Sequence, residues 1–85
     1  MSNPQTEVTL RVTSRSLAGG WLVGELEGGR YTWTFRWQFR AGGRLEVQPS
    51  LGRALIKEPL QRFLEKYDYN LEIGEHYAFT VRTRI

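Results

Sequence analysis

The acid–base chemistry open to this sequence is limited to two neighbouring carboxylates and one imidazole. Glu25 and Glu27 lie two residues apart in an alternating segment, which predicts a shared strand face and about 7 Å between them. Two carboxylates can flank a glycosidic bond. Because Arg30 and Arg36 follow across the predicted hairpin, we expect cross-strand ion pairs at this place instead.

Other catalytic and ligand-binding patterns are missing from the sequence. His76 is the single histidine, it falls in a polar segment that predicts a loop, and the chain has no cysteine. No serine is placed where a base could activate it, and a metal site needs three or four convergent ligands. The glycine pairs are typical of hairpin turns and do not form a phosphate-binding motif. We therefore predict a non-enzymatic protein with no catalytic residue, no cofactor and no metal.

Glycine pairs also divide the first half of the chain into short runs of alternating apolar and polar residues, which predict an antiparallel meander. A disordered polar tail at 1–5 is expected to precede a single α+β domain at 6–85. Strands are predicted near 6–14, 20–27, 30–40, 44–48 and 77–85. Strand directions give the spatial order 5-1-2-3-4, either as an open sheet or curled toward a half-barrel.

The segment YTWTFRWQF places an aromatic ring at every second position of the third strand. A two-residue turn at Gly28-Gly29 pairs Leu26 with Tyr31. The three-residue loop that follows the third strand pairs Phe39 with Leu45. Each turn puts the rings on the same face as apolar partners, so we predict that they point into a core.

The cover for this core is expected from the segment SLGRALIKEPLQRFLEKY. An apolar stripe at helical spacing is formed by Leu60, Phe63, Leu64 and Tyr67. Proline favours the first helical position and disfavours helix in the residue before it. We therefore predict a short helix near 51–56 capped by Ser50, a break near Pro59, and a main helix at 59–67.

Whether the aromatic stripe is fully covered is left open by the sequence. A nine-residue helix is about 13 Å long, whereas five alternate rings span about 27 Å of strand. Leu51, Leu55 and Tyr69 are expected to close the remainder. The alternative is an apolar groove for a partner helix or a small ligand.

Arginine carries most of the positive charge, since ten of the twelve basic residues are Arg, and nine acidic residues leave a net charge of +3. Arg binds carboxylates and phosphates bidentately and stacks on rings. On the strand face opposite the rings, Trp21 is expected opposite Arg36. The arginines predicted on that face are Arg11, Arg36, Arg40, Arg44, Arg82 and Arg84.

These residues predict a surface that docks on an acidic protein or protein complex. The expected contacts are Arg11, Arg36, Arg40, Arg82 and Arg84, with Trp21 as the aromatic anchor. One alternative is a solvated sheet face without a partner, since Glu and Thr share it. The other is a nucleic-acid-binding module, but this needs several outward rings for bases to stack on, and only Trp21 faces outward.

Composition predicts a soluble cytoplasmic protein. The 85 residues suffice for one core, and no apolar run approaches the roughly 20 residues of a membrane span. The segment MSNPQTE has neither the charged nor the apolar region of a secretory signal. Oligomeric state is not predicted.

Two segments carry a family resemblance: YTWTFRWQF and LEVQPSLGRALIKEPLQRFLEKYDYNLEIGEHYAFTVRTR. They resemble a small family of uncharacterised cyanobacterial proteins, a domain of unknown function, and the similarity covers nearly the whole chain. The resemblance implies a cyanobacterial cytoplasmic protein, and it brings no activity, cofactor or catalytic residue to these positions.

Overall fold

The computed structural model describes residues 5–40, 42–67 and 70–82. Its elements in chain order are β1 (Thr6–Ser16), β2 (Trp21–Gly28), β3 (Tyr31–Gln38), β4 (Arg44–Gln48), α1 (Arg53–Tyr67) and β5 (His76–Val81). Most of the predicted tail, 1–5, and also Tyr69 and the end of the predicted last strand lie outside the described residues.

The five strands form one antiparallel sheet in the order β4-β3-β2-β1-β5. This is the order predicted from the sequence, and it confirms the α+β fold. The sheet is open, with β4 and β5 at opposite edges. α1 follows β4 and packs on one face near β4 and β5.

The aromatic stripe points inward, as the alternation predicts. Trp33, Phe35 and Trp37 are each 2% exposed, and Tyr31 and Phe39 at the two ends are partly buried against the same core. Leu and Val side chains of the neighbouring strands share this face and are buried too. An extended chain alternates its side chains between two faces, so five rings at period two form one wall of the core.

Both hairpin registers differ from the prediction by two residues. Leu26 pairs with Trp33 rather than with Tyr31, because the turn is made by Gly29 and Arg30. Trp37, not Phe39, pairs with Leu45, so the next loop is longer than predicted. A shift of two residues preserves which face each side chain occupies, whereas a shift of one would have reversed every side chain.

The predicted break at Pro59 is wrong, because α1 is a single helix from Arg53 to Tyr67 with Pro59 inside it. Ser50 lies in the preceding turn, where its carbonyl accepts a hydrogen bond from the Arg53 amide at 3.1 Å. Every fourth residue of the helix, Ile56, Leu60 and Leu64, is buried against the sheet. This stripe continues across the proline, so packing of the apolar side chains outweighs the hydrogen bond that the proline nitrogen cannot donate.

Leu51 and Leu55 do not close the aromatic face with their side chains, which are 67% and 44% exposed. Leu51 contributes its backbone instead, since its carbonyl accepts a hydrogen bond from the Trp33 indole nitrogen at 2.8 Å. Leu71, which follows α1, is buried in the core. The sequence had predicted that Leu51 and Leu55 would be buried there.

A bulge between Val12 and Ser14 interrupts the ladder of β1 with β2. Beyond it, the Arg15 guanidinium donates a hydrogen bond to the Leu71 carbonyl at 2.7 Å. Nearby, the Gly74 amide donates to the Val12 carbonyl at 2.8 Å. The segment that leads into β5 is therefore attached to the second half of β1.

We expect Pro59→Ala to raise the free energy of unfolding by about 1 kcal/mol. Alanine restores the amide donor inside α1 and removes the contact between the proline ring and the preceding turn, and the greater freedom of the unfolded chain offsets part of that gain. Urea denaturation followed by circular dichroism measures the difference. A less stable variant would show that the proline ring packs usefully at this half-buried position.

Candidate functional site

The sheet face opposite α1, called the outer face below, collects nearly all the polar strand side chains. Alternation with the buried residues assigns them to this face. Its members are Glu7, Thr9, Arg11, Ser14, Ser16, Trp21, Val23, Glu25, Glu27, Thr32, Thr34, Arg36, Gln38, Arg44, Glu46, Gln48, His76, Ala78 and Thr80.

One row of this face crosses all five strands. The registers place His76, Arg11, Glu25, Thr34 and Gln48 side by side in that order. They line a shallow groove of about 450 Å³. The row offers hydrogen-bond donors and acceptors to solvent, and all five of its residues are exposed.

The predicted ion pairing of the glutamates occurs with a different partner. Glu25 binds Arg11 of β1 at 3.0 Å, and both side chains are about half exposed. Across the hairpin, Glu25 and Glu27 face Thr34 and Thr32 rather than arginines. His76 is also placed differently from the prediction, since it begins β5 rather than lying in a loop.

Charge on the outer face is divided between its two ends. Glu7 and Glu27 lie toward the end that holds the β2–β3 turn, whereas Arg36 and Arg44 lie toward the other end. Within the described strands the face is therefore acidic at one end and basic at the other. The sequence predicted one arginine-rich face, and alternation alone could not show this division.

The basic end of the outer face, together with Arg40 just beyond β3, is called the basic corner below and consists of Trp21, Arg36, Arg40 and Arg44. Trp21 pairs with Gln38, and Arg36 pairs with Val23 and Glu46. The predicted placement of Trp21 opposite Arg36 is therefore wrong, as a result of the register shift. Arg36, Arg40 and Arg44 are exposed, and Trp21 is partly exposed.

Local packing holds two members of the basic corner in place. The Trp21 indole lies over Gly19, where an added Cβ atom would approach the indole nitrogen to 2.6 Å. The aliphatic stem of Arg40 lies over Gly20, where a Cβ atom would approach the stem to 2.5 Å. Missing side chains at two successive glycines thus make room for an indole and a guanidinium-bearing chain.

The predicted contacts do not all lie together. Trp21, Arg36 and Arg40 are neighbours in the basic corner, whereas Arg11 lies in the central row with Glu25. Arg82 follows Val81, which pairs with Thr6 at the other end of the sheet, about 30 Å from Trp21 along the strands. Arg84 lies outside the described residues.

Arg44 belongs to the corner although the sequence-based contact set omitted it. It is exposed, and its guanidinium lies 3.4 Å from the Glu46 carboxylate. The signal was present in the sequence, since Arg44 shares the parity of outward residues in β4. What the sequence could not supply was the register that sets Arg44 beside Gln38.

The described part of the chain has neither a metal-binding cluster nor a membrane-spanning helix. Residues 5–40, 42–67 and 70–82 contain no group of three or more His, Asp and Glu side chains that could hold a metal ion. Over the same ranges, no helix combines the length and the apolar character needed to cross a bilayer.

Fold and surface together define a small α+β protein whose antiparallel sheet is covered by a helix on one face and carries a charged, exposed second face. Comparison with protein families adds that the chain belongs to the family described as "Protein of unknown function (DUF3146)", which matches residues 4–84. The resemblance to a family of unknown function is thereby confirmed, while the cyanobacterial origin stays a prediction. No curated protein and no solved structure matches the chain.

Proposed function

We propose that this protein is a non-enzymatic interaction module of the cytoplasm that docks on an acidic protein through its basic corner. The observation that carries the proposal is the grouping of Arg36, Arg40 and Arg44 beside Trp21 at one end of the outer face. Glu46 is the acidic side chain placed among them by the register, so positive charge predominates there.

The residue types of the basic corner suit protein recognition. Trp and Arg are the residues most enriched where a few side chains dominate binding energy. Guanidinium groups bind carboxylates with two parallel hydrogen bonds, and a partly exposed indole supplies apolar contact area with little loss of side-chain freedom. Because Trp21 and Arg40 already rest on Gly19 and Gly20, less entropy is lost when a partner binds.

This proposal is narrower than the prediction from sequence. Arg11 lies in the central row of the outer face, and Arg82 lies near the far end of the sheet, so neither contributes to the corner. Trp21, Arg36 and Arg40 keep their predicted role, and Arg44 joins them.

The test is affinity capture from a native cell lysate on immobilised protein, comparing wild type with Arg36→Glu plus Arg44→Glu. Proteins that bind through the corner should be acidic, should elute with salt, and should bind the double variant at least about tenfold more weakly. Arg30→Glu plus Lys66→Glu is the matched control, since it changes the net charge equally at exposed positions of the β2–β3 turn and of α1, away from the corner. Capture of the same proteins by both double variants would refute the proposed surface.

A second candidate is single-stranded nucleic acid bound at the same corner, favoured by the aromatic ring among three arginines. Log affinity for a fluorescent oligonucleotide would then fall linearly with log salt concentration, with a slope of about −0.7 for each phosphate contact. Absence of binding at low salt would exclude it.

A further inference from the structure

The two edges of the sheet differ in how their backbone is covered. At the β4 edge, the Arg53 guanidinium donates a hydrogen bond to the Val47 carbonyl at 3.3 Å. Lys57 and Gln61 of α1 border the same edge. Charged side chains over an edge strand discourage the addition of another strand. β5 has β1 as its one strand partner within the described residues, so its other edge is open to a further strand.

A groove of about 700 Å³ runs beside this open edge, between β5 and α1. Leu55 and Pro59 form the apolar part of its helix wall, and Phe79 forms its strand wall. The ion pair between Glu58 and Arg62 also lines the groove on the helix side, and both side chains are largely exposed. The wall continues along α1 through Phe63, which stacks on Phe79 with 5.6 Å between ring centroids. Tyr67 extends it further, at 5.0 Å from Phe63.

These apolar residues of α1 recur at every fourth position, in a second stripe next to the buried one. Leu55 and Tyr67 are counted among the exposed large hydrophobic residues of the described chain, while Pro59 and Phe63 are partly buried. Apolar area that flanks an uncovered strand edge has the form of a site for an extended peptide, in which main-chain bonds supply affinity and alternate side chains enter the groove.

We propose that β5 and this groove bind an extended peptide segment of a partner protein, which adds to the sheet as a sixth strand antiparallel to β5. The segment carries apolar side chains at alternate positions and a carboxylate near its N-terminal end. This carboxylate binds Arg82, which follows β5, is exposed, and forms no ion pair within the described residues. The site lies away from the basic corner and does not depend on the function proposed for it.

A second copy of this chain fits the edge less well. Antiparallel pairing of two β5 strands about Phe79 would set Arg82 opposite His76 of the other copy, and pairing about Ala78 would set it opposite Gly74. Neither arrangement gives Arg82 an anion, whereas a peptide with a carboxylate does.

The test uses fluorescence polarisation with a synthetic ten-residue probe that alternates valine and threonine after two N-terminal glutamates. We expect saturable binding, lost when a proline replaces the central residue, because proline cannot donate to a strand ladder. Leu55→Asp should weaken binding at least about tenfold, and Leu17→Asp, at a 61% exposed residue of the β1–β2 turn, should leave it unchanged. Arg82→Glu should weaken binding of this probe and strengthen binding of a probe with lysines in place of the glutamates.

Several results would overturn the proposal. They are absence of saturable binding, equal binding of the proline-containing probe, and loss of binding in Arg36→Glu plus Arg44→Glu but not in Leu55→Asp. A wild-type dimer in sedimentation equilibrium that Leu55→Asp dissociates would assign the edge to a second copy instead. NMR spectra of the wild-type protein, recorded with and without the probe, show which backbone amides shift on binding. Because no substitution is needed, the result does not depend on whether a variant folds. Shifts centred outside 76–82 and 54–62 would also refute the site.

Discussion

Gly24→Ala is expected to lower the free energy of unfolding by about 3 kcal/mol, among the largest effects of any single methyl group in this chain. A Cβ atom at Gly24 would lie 2.3 Å from the Arg11 carbonyl oxygen and 2.6 Å from the Phe35 ring. Neither neighbour can yield, since Arg11 belongs to β1, which is paired on both sides, and Phe35 is 2% exposed in the core. The added methyl group must therefore separate β1 from β2 or displace the ring.

Urea denaturation of Gly24→Ala beside Gly42→Ala measures this effect. Gly42 has a φ of 83° and no atom within 4 Å of an added Cβ, so its substitution reports backbone strain alone, about 1 kcal/mol. If both variants lost the same free energy, close contact at Gly24 would not be the cause.

Trp33→Ala is expected to lower the free energy of unfolding by about 4 kcal/mol. Trp33 is 2% exposed, stacks on Tyr31 with 5.6 Å between ring centroids, and donates a hydrogen bond to the Leu51 carbonyl. Alanine removes a ring at the centre of the sheet and leaves a cavity that the neighbouring strands cannot fill. It also detaches the turn before α1, because the indole holds that turn by its backbone.

Thermal and urea unfolding of Trp33→Ala should be compared with Trp33→Phe and with Trp21→Ala. Phenylalanine keeps most of the ring volume and loses the hydrogen bond, so we expect a smaller loss of about 1–2 kcal/mol. Trp21 is only partly buried, and its removal should cost less than removal of Trp33. Equal losses at Trp21 and Trp33 would contradict the assignment of the inward face.

The face of the sheet on which each side chain lies could be predicted from the sequence, because it depends only on whether the residue falls at an odd or an even position along its strand. The rings of β3 would have pointed inward for any hairpin register that matched apolar residues with apolar residues. Exact pairing depends on which glycine adopts a positive φ. At the first hairpin this is Gly29, with a φ of 59°, and alternation gives no indication of that choice.

Continuity of α1 could not be predicted from local preference. Proline has a strong tendency to end a helix, and no local conformational preference of the residues around Pro59 opposes that tendency. What keeps the helix intact is contact between Ile56, Leu60 and the sheet, which becomes visible only when the sheet is in place. Tertiary packing outweighs propensity here, as it commonly does.

The candidate site could be predicted in its residue types but not in its arrangement. Arg36, Arg40 and Trp21 were placed on one surface, and they do lie together. Alternation along the strands assigns Arg11 and Arg82 to the same face as these residues. It gives the face of a residue but not its position along the strand. Separating the two ends of the face requires the register, and the register requires the turns.

The single distant pairing in the sheet has a consequence for how the molecule assembles. β1 to β4 are joined by hairpins between neighbours in sequence, whereas β5 must return from the far end of the chain to pair Val81 with Thr6. Closing so long a loop costs entropy before any contact compensates for it, so docking of β5 is the natural slow step of folding. β5 is also short, and most of its side chains keep some contact with water, which makes it a natural unit of local opening. When β5 detaches, the backbone edge of β1 that it covered is left without a hydrogen-bonded partner. That edge, in a strand rich in β-branched residues, can pair with strands of other molecules, and aggregation would begin there.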